Sequence, residues 1–421
     1  MREFYFKNNE LWCEEASLKQ IAERFGTPLY VYSKQSIIDH CRHIEKGFGA
    51  TDHLTCYAVK ANANRKILSV IAKEGIGCDI GSLGELQLAL DAGFLPDRIT
   101  YSGVGKRTDE IEFALKKNIL AFNVESVEEL NSISRIAKRL KAEARILLRV
   151  NFDIEAGTHP YITTGRKHNK FGVDSSMAQE VLKNAMLLPC IKVLGIHIHI
   201  GSQITNVQTF VMAATIVTKF VEELREAGIP MKHLNFGGGF GVQYHNFLVH
   251  PDLPRDGKED ESEISIASFI EAVVPILKES KCKILIQPGR SIIAHAGILV
   301  TKVLYSKENG GKRFVIVDAG MNDFIRPTLY QSYHQIVPVQ MKGAEHQVVD
   351  VVGPLCESGD FFAIDRKIPA VAADNYLSLM CTGAYGYVLS SNYNARPRPA
   401  EALVDGTNVE LIRPRESLEQ L

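Results

Sequence analysis

Eight short apolar, β-rich runs recur between residues 54 and 287, and their spacing limits the folds open to this chain. They read LTCYAV (54–59), IGCDI (76–80), RITY (98–101), LAFNV (120–124), RILLRVN (145–151), VLGIHIHI (193–200), KHLNF (232–236) and KILIQ (283–287). Helical periodicity fills the gaps. VEELNSISRIAKRLK (127–141) has apolar residues at 130, 133, 136, 137 and 140, one face of a helix. Residues 209–228 form a second helical pattern, closed by Gly228 and then Pro230. SLGELQLALDAG (82–93) offers Ser82 as an N-cap, Glu85 three residues on, and Gly93 as a stop. Strands alternating with helices must run parallel, because each crossover needs a helix. Eight such units predict a (β/α)8 barrel over 34–290. Periodicity alone leaves a doubly wound open sheet as the alternative.

After residue 290 the texture changes. Runs at 298–305, 312–319, 346–353, 376–381, 401–405 and 409–413 read as strands without regular helices between them, and GGK (310–312) reads as a hairpin turn. This predicts a mostly antiparallel β domain over 291–421. The N-terminal EFYFKNNELWCEE reads as a hairpin around Asn8–Asn9. Residues 1–33 are therefore expected to join and complete that β domain. Two insertions stand out, 153–172 and the acidic 250–263, the second with the composition of a mobile surface loop.

The 421 residues carry a net charge of −1, so no overall basic field draws nucleic acid or anionic membrane. The eight cysteines contain no CxxC pair, which argues against a zinc ribbon or redox motif and suits a reducing cytosol. The N-terminal segment lacks a signal-peptide core, and no apolar run approaches the ~20 residues that span a bilayer. The expectation is a cytoplasmic protein.

In a barrel, catalytic groups gather at the C-terminal strand ends. Lys60 closes the first run, as either a solvated strand end or an amine held for chemistry. Asp79 closes the second. His197 and His199 lie near the end of the sixth, followed by Gly201 and Ser202; GGGFG (237–241) follows the seventh, and Pro288-Gly289-Arg290 the eighth. A glycine run lets backbone N–H groups approach an anion, although a tight turn has the same composition. Ser202 can add a hydroxyl. The two histidines share a face of an extended strand, but no third metal ligand accompanies them, so no metal is expected. A phosphate cradle, a strand-end lysine and an imidazole suited to lie on a flat ring together point to pyridoxal phosphate.

YAVKAN, HIHIGSQ, GGGFG, PGRSI, CESGDFF and GAYGY, in this order, resemble the motifs of the fold-type III pyridoxal-phosphate decarboxylases. The resemblance runs from about residue 28 to 406. It implies that Lys60 holds the cofactor covalently and that His199 stacks on its ring. It implies phosphate contacts from Ser202, Gly238, Gly239 and the 288–290 backbone, with Tyr385 reaching phosphate or substrate. It also implies a substrate with a second amino-acid end, meso-2,6-diaminopimelate, converted to L-lysine and CO2. Arg326 and Tyr330 in RPTLY, helped by Arg290, would take the distal carboxylate. Glu357 would take the distal ammonium, and Cys356 would donate the proton. Both come from the partner subunit in this family, which implies a homodimer with shared sites.

One position departs from the pattern. The family places Glu before Pro-Gly-Arg, and its charge keeps the cofactor's ring nitrogen protonated. This chain has Gln287, which can hydrogen-bond but carries no charge. Decarboxylation of carboxynorspermidine or ornithine, or a low-turnover regulatory role, are the alternatives. Arg326 has no distal carboxylate to bind in ornithine.

Overall fold

All eight apolar runs are strands: His53–Ala58, Gly77–Ile80, Ile99–Tyr101, Ala121–Val124, Ala144–Asn151, Ile191–His197, His233–Asn235 and Lys283–Ile286. Every neighbouring pair is parallel. The last strand pairs with the first (Leu285 opposite Leu54) and the fourth with the fifth (Asn123 opposite Leu147), so the sheet closes on itself. The open-sheet alternative is excluded. The computed structural model describes residues 3–154, 170–255, 265–343 and 345–421. Most of the 153–172 insertion and the acidic part of 250–263 lie outside these residues. The barrel forms one unit, Cys41–Val242 with Ile264–Ser291; the second comprises Met1–His40, Gln243–Glu263 and Ile292–Leu421. The 34–290 span read from the sequence as barrel thus gives up its first residues and 243–263 to the second unit.

Local signals set the helices. Ser82 accepts the Glu85 N–H at 3.2 Å, Glu85 accepts the Gly81 N–H at 2.6 Å, and Gly93 ends the helix Leu83–Ala92 at φ +99°. Ser126 caps Val127–Leu140 in the same way.

The barrel interior follows from the two-residue period of a strand. Leu54, Cys56, Ala121, Leu147, Leu194 and Leu285 form one buried apolar cluster. Two residues further along, the inward side chains turn polar: Asn123 follows Ala121, Arg149 follows Leu147, and Gln287 follows Leu285. Asp79, Thr100, His197 and Asn235 hold the corresponding places on the other strands, and all seven are at most 7% exposed. The sixth strand needs an adjustment to join them, since Leu194 and His197 are an odd number of residues apart. A register shift between Val193 and Gly195 supplies it.

In the second unit, Phe4–Lys7 and Glu10–Cys13 form the expected hairpin, with Asn8 and Asn9 at φ +52° and +61°. The N-terminal segment joins the larger β-sheet through Leu29–Ser33, which lies between Gly297–Asn309 (antiparallel) and Ala400–Asp405 (parallel). The 310–312 hairpin is present, with Gly310 and Gly311 at its turn. The strand Phe361–Pro369 was not anticipated. Its alternation is interrupted by Asp365 at φ +47°, where the pairing with His346–Val352 shifts register.

Gly195 carries the register shift at a point where the seventh strand comes close. A Cβ there would lie 1.8 Å from the His233 carbonyl oxygen, a backbone atom with no rotamer to move. Gly195→Ala is expected to lower the stability of the barrel by about 3 kcal/mol, as a forced overpacking does. Urea unfolding measures this; an unchanged midpoint would mean the strands separate there at no cost.

Candidate active site

Lys60 sits in a single 3-10 turn, Val59–Ala61, directly after the first barrel strand. Tyr57 ties that turn down by donating its hydroxyl to the Asn62 carbonyl at 3.1 Å. The Asn62 side chain accepts the Asn64 N–H at 3.0 Å, and Asn64 caps the next helix through the Lys66 N–H at 2.9 Å. The asparagines of KANAN therefore shape the turn that presents the lysine. Lys60 is exposed. Its charge still acts on Asp79, Glu85 and His199.

Asp79 is the centre of the polar layer. Its Oδ1 accepts from the Ser102 hydroxyl at 2.7 Å, the Thr100 hydroxyl at 2.8 Å, the Gln287 amide nitrogen at 2.7 Å and, weakly, the Asn123 amide at 3.4 Å. Burial pushes its carboxyl up to about 6, against the opposing pull of these hydroxyls and of Lys60 and Lys106. Beside it, Arg149 donates to Glu125 at 2.7 Å in an ion pair whose side chains are 7% and 2% exposed. Burial and the Arg149 charge hold His197 well below the ordinary histidine range. His199 is held low by burial first and then by Lys60 and Arg149, so both imidazoles stay neutral. His199 Nδ1 accepts the Gly238 N–H at 3.2 Å, which leaves the proton of the neutral ring on Nε2.

The glycine run is shaped mainly by its neighbours. A Cβ on Gly237 would stand 2.2 Å from the Ile198 carbonyl oxygen, on Gly238 2.1 Å from that of Gln287, and on Gly239 2.3 Å from that of Gly201. Close packing against the sixth and eighth strands thus requires glycine at all three. The Gly237 N–H is taken by Asn235 at 3.0 Å and that of Gly238 by His199. Among the described residues the Gly239 N–H has no protein partner, so it is the amide of the three left to an anion. The Ser202 hydroxyl accepts from Arg290 at 3.1 Å, which leaves its own hydrogen to donate.

The remaining expected site residues belong to the second unit. Arg326 and Tyr330 bound a one-turn helix, Arg326–Tyr330. Arg326 is 5% exposed, and its guanidinium lies 5.6 Å from the Tyr330 ring centroid and 5.7 Å from that of Tyr244. Thr328, in the middle of that helix, donates to the Gly359 carbonyl at 2.5 Å, so RPTLY and CESGD are bonded to each other. Asp360 pins the CESGD loop by accepting the Met321 N–H at 2.6 Å and the Leu355 N–H at 2.7 Å. Cys356 and Glu357 stand exposed on it. Tyr385 sits at φ +56° between Gly383 and Gly386; a Cβ on the first would meet the Ile293 carbonyl oxygen at 2.0 Å, and on the second that of Thr382 at 2.4 Å.

A family model described as the pyridoxal-dependent decarboxylase, pyridoxal binding domain, matches residues 34–294. The chain belongs to the pyridoxal-dependent decarboxylases. Its relatives in this family include the diaminopimelate decarboxylase of Aquifex aeolicus, 44% identical over 99% of this chain and 96% of the relative. That of Haemophilus influenzae is 45% identical over 100% and 98%. Two crystal structures are similar throughout. The diaminopimelate decarboxylase from M. jannaschii has a TM-score of 0.92 at 36% identity, covering 99% of this chain and 96% of that one. The Helicobacter pylori enzyme complexed with L-lysine has a TM-score of 0.88 at 41% identity, covering 95% and 97%. This decarboxylase chain has no helix, among the described residues, long and apolar enough to cross a membrane.

The sequence reading noted Asp79 but gave it no role, and it passed over Thr100, Ser102, Asn123, Glu125 and Arg149. Strand parity would have found Asn123 and Arg149, which lie two residues beyond the inward Ala121 and Leu147. Asp79 also has a consequence for stability. Its folded value, about 6, exceeds the unfolded 3.8, so the native state binds more protons between those values. Stability is greatest below about pH 4 with respect to this group and falls by about 3 kcal/mol as pH rises through 6. In Asp79→Asn that segment of the stability–pH curve flattens, which urea unfolding of the cofactor-free protein from pH 4 to 7 would show.

Proposed function

We propose that this chain decarboxylates meso-2,6-diaminopimelate to L-lysine and CO2 with pyridoxal 5'-phosphate as cofactor. The observation that carries the reading is end-to-end similarity to diaminopimelate decarboxylases in a chain whose RPTLY and CESGD segments are bonded together. The donor set fits the cofactor: an accessible amine at Lys60, a free amide at Gly239, a Ser202 hydroxyl oriented by Arg290, and a neutral imidazole at His199 for the ring face. When bound, the cofactor accepts the electron pair that the departing CO2 leaves on the α-carbon.

The chain's own groups do the rest. Lys60 holds the cofactor through its amine and regains it as product leaves. The Gly238 amide keeps His199 in one tautomer. Ser202, Gly239 and the 288–290 backbone take the phosphate, with Tyr385. Arg326 is preorganised between two tyrosine rings for the distal carboxylate, with Tyr330 and Arg290. Glu357 takes the distal ammonium. The α-carbon–carboxylate bond breaks, CO2 leaves, and the Cys356 thiol delivers the proton to the α-carbon. Cys356 and Glu357 are exposed at the tip of a pinned loop, in keeping with a role in the site of a second copy. The reading is therefore of a homodimer with shared sites, working in the cytoplasm.

CO2 release from meso-diaminopimelate, with ornithine in parallel, tests this. The protein is expected to turn over the first and not the second; the reverse preference would end the proposal. In Lys60→Ala, borohydride should fix no cofactor to the chain and CO2 release should stop. Arg326→Met should reduce kcat/KM for diaminopimelate about 100-fold, the loss of about 3 kcal/mol expected when a charged hydrogen-bond partner is removed. Mixing Lys60→Ala with Cys356→Ser chains should recover activity that neither has alone; no recovery would place both residues in the same copy's site.

A further inference from the structure

Of the two rings beside Arg326, only one is held independently of it. Tyr330 stands at the other end of the same one-turn helix, so its ring moves with the arginine. Tyr244 is buried and comes from a different segment of the same unit, Gln243–Glu263. Three contacts dock that segment onto residues 333–335. Gln335 Oε1 accepts the Leu248 N–H at 2.7 Å, and Gln335 Nε2 donates to the Leu248 carbonyl at 3.0 Å. The His245 ring stacks on Tyr333, with centroids 3.7 Å apart and planes at 19°. The Tyr244 ring meets His334 edge-on, at 4.8 Å and 69°. His334 is itself fully buried, with Nδ1 2.9 Å from the Met380 carbonyl oxygen. A carbonyl only accepts, so that nitrogen carries the hydrogen. The same imidazole packs edge-on against Phe324, at 4.7 Å and 82°. Phe324 stands two residues before Arg326, which closes a circuit: Arg326 on Tyr244, Tyr244 on His334, His334 on Phe324, and Phe324 back to Arg326 along the chain.

We propose that Tyr244, gripped by His334, is a positioning residue that acts through Arg326: it fixes the guanidinium, and so sets how strongly the protein distinguishes ligands by the carboxylate at their far end. This rests on the assignment of the distal carboxylate to Arg326 made above. The chemistry of the contact suits the task. A ring face attracts a cation through its negative quadrupole and takes none of its N–H donors. A carboxylate in the same place would fix the arginine by occupying those donors and cancelling the charge. The tyrosine therefore restrains a long, flexible side chain and leaves its hydrogen-bonding edge for a ligand. Restraint before binding reduces the freedom lost on binding, so removing it weakens the grip on the carboxylate and not the contacts made by the rest of the ligand.

The test uses the full-length protein loaded with pyridoxal phosphate and two inhibitors of CO2 release. L-lysine keeps the far carboxylate of diaminopimelate and 1,5-diaminopentane lacks it, so the pair separates Arg326 from the rest of the site. Tyr244→Leu should raise KM for diaminopimelate and the inhibition constant of L-lysine about tenfold, the scale of a desolvated cation–ring contact, with a smaller change in kcat. The inhibition constant of 1,5-diaminopentane should stay within about twofold. Tyr244→Phe keeps the ring and should hold L-lysine inhibition within about threefold of the unsubstituted protein. Adding Tyr244→Leu to Arg326→Met should weaken L-lysine no further, because the group through which it acts is gone. Tyr244→Met fills the space without a ring and serves if Tyr244→Leu does not fold. No change in Tyr244→Leu, an equal loss for both inhibitors, a loss in Tyr244→Phe as large as in Tyr244→Leu, or losses that add in the double variant would each overturn the proposal. Failure of the underlying reading looks different: the unsubstituted protein would release no CO2 from diaminopimelate, or Arg326→Met alone would leave L-lysine inhibition unchanged.

Discussion

A closed barrel of parallel strands gives its interior to every strand at once, and the two-residue period decides what each puts there. In this chain the lower interior is apolar, with Leu54, Cys56, Ala121, Leu147, Leu194 and Leu285 in mutual contact. The next layer is polar on seven strands and nearly dry. Burying so many polar groups is tolerable only if they satisfy one another. Asp79 does so by drawing donors from the third, fourth and eighth strands onto one oxygen, and Arg149 and Glu125 do so by ion pairing. Removing one partner of such a pair typically costs about 3–5 kcal/mol, because the other charge stays buried. The apolar layer holds the barrel closed, and the polar layer lies one step further along the strands.

The sequence made the barrel legible because eight runs and their intervening helices are local signals. Their bounds agree with the strands to within about two residues except at the sixth, which ends at His197 before reaching His199. The hairpins at Asn8–Asn9 and Gly310–Gly311 were legible for the same reason, since residues that tolerate positive φ mark them. What escaped depends on long-range pairing. Phe361–Pro369 is a strand because His346–Val352 lies beside it, and no period of its own announces it. The residues around Asp79 are separated by up to 208 positions in the chain, so their meeting is a property of barrel closure. The site motifs could be located, but not the use made of each atom. GGGFG reads as a run of amides for an anion, yet those of Gly237, Gly238 and Gly241 are taken within the protein.

The electrostatics of the barrel site follow from position in these layers. Lys60 is exposed on its turn, whereas Asp79, His197 and Gln287 lie within the polar layer. Burial disfavours charge on the imidazoles and raises the carboxyl of Asp79, so the layer admits charge sparingly and places it at chosen atoms. Glutamine at 287 fits this restraint, since it adds hydrogen-bonding capacity without a second negative group beside Asp79.

The glycines after the seventh strand are crowded by main-chain oxygens from Ile198, Gly201 and Gln287. Their shape is thus inherited from strand register, and no side-chain change nearby can make room for a larger residue. Loops held by side chains are less restricted, as where Asp360 and Thr328 hold CESGD and RPTLY, because substitution there can change the bonds that shape them. Sequence change is therefore accommodated more readily in those loops than in the glycine run after the seventh strand.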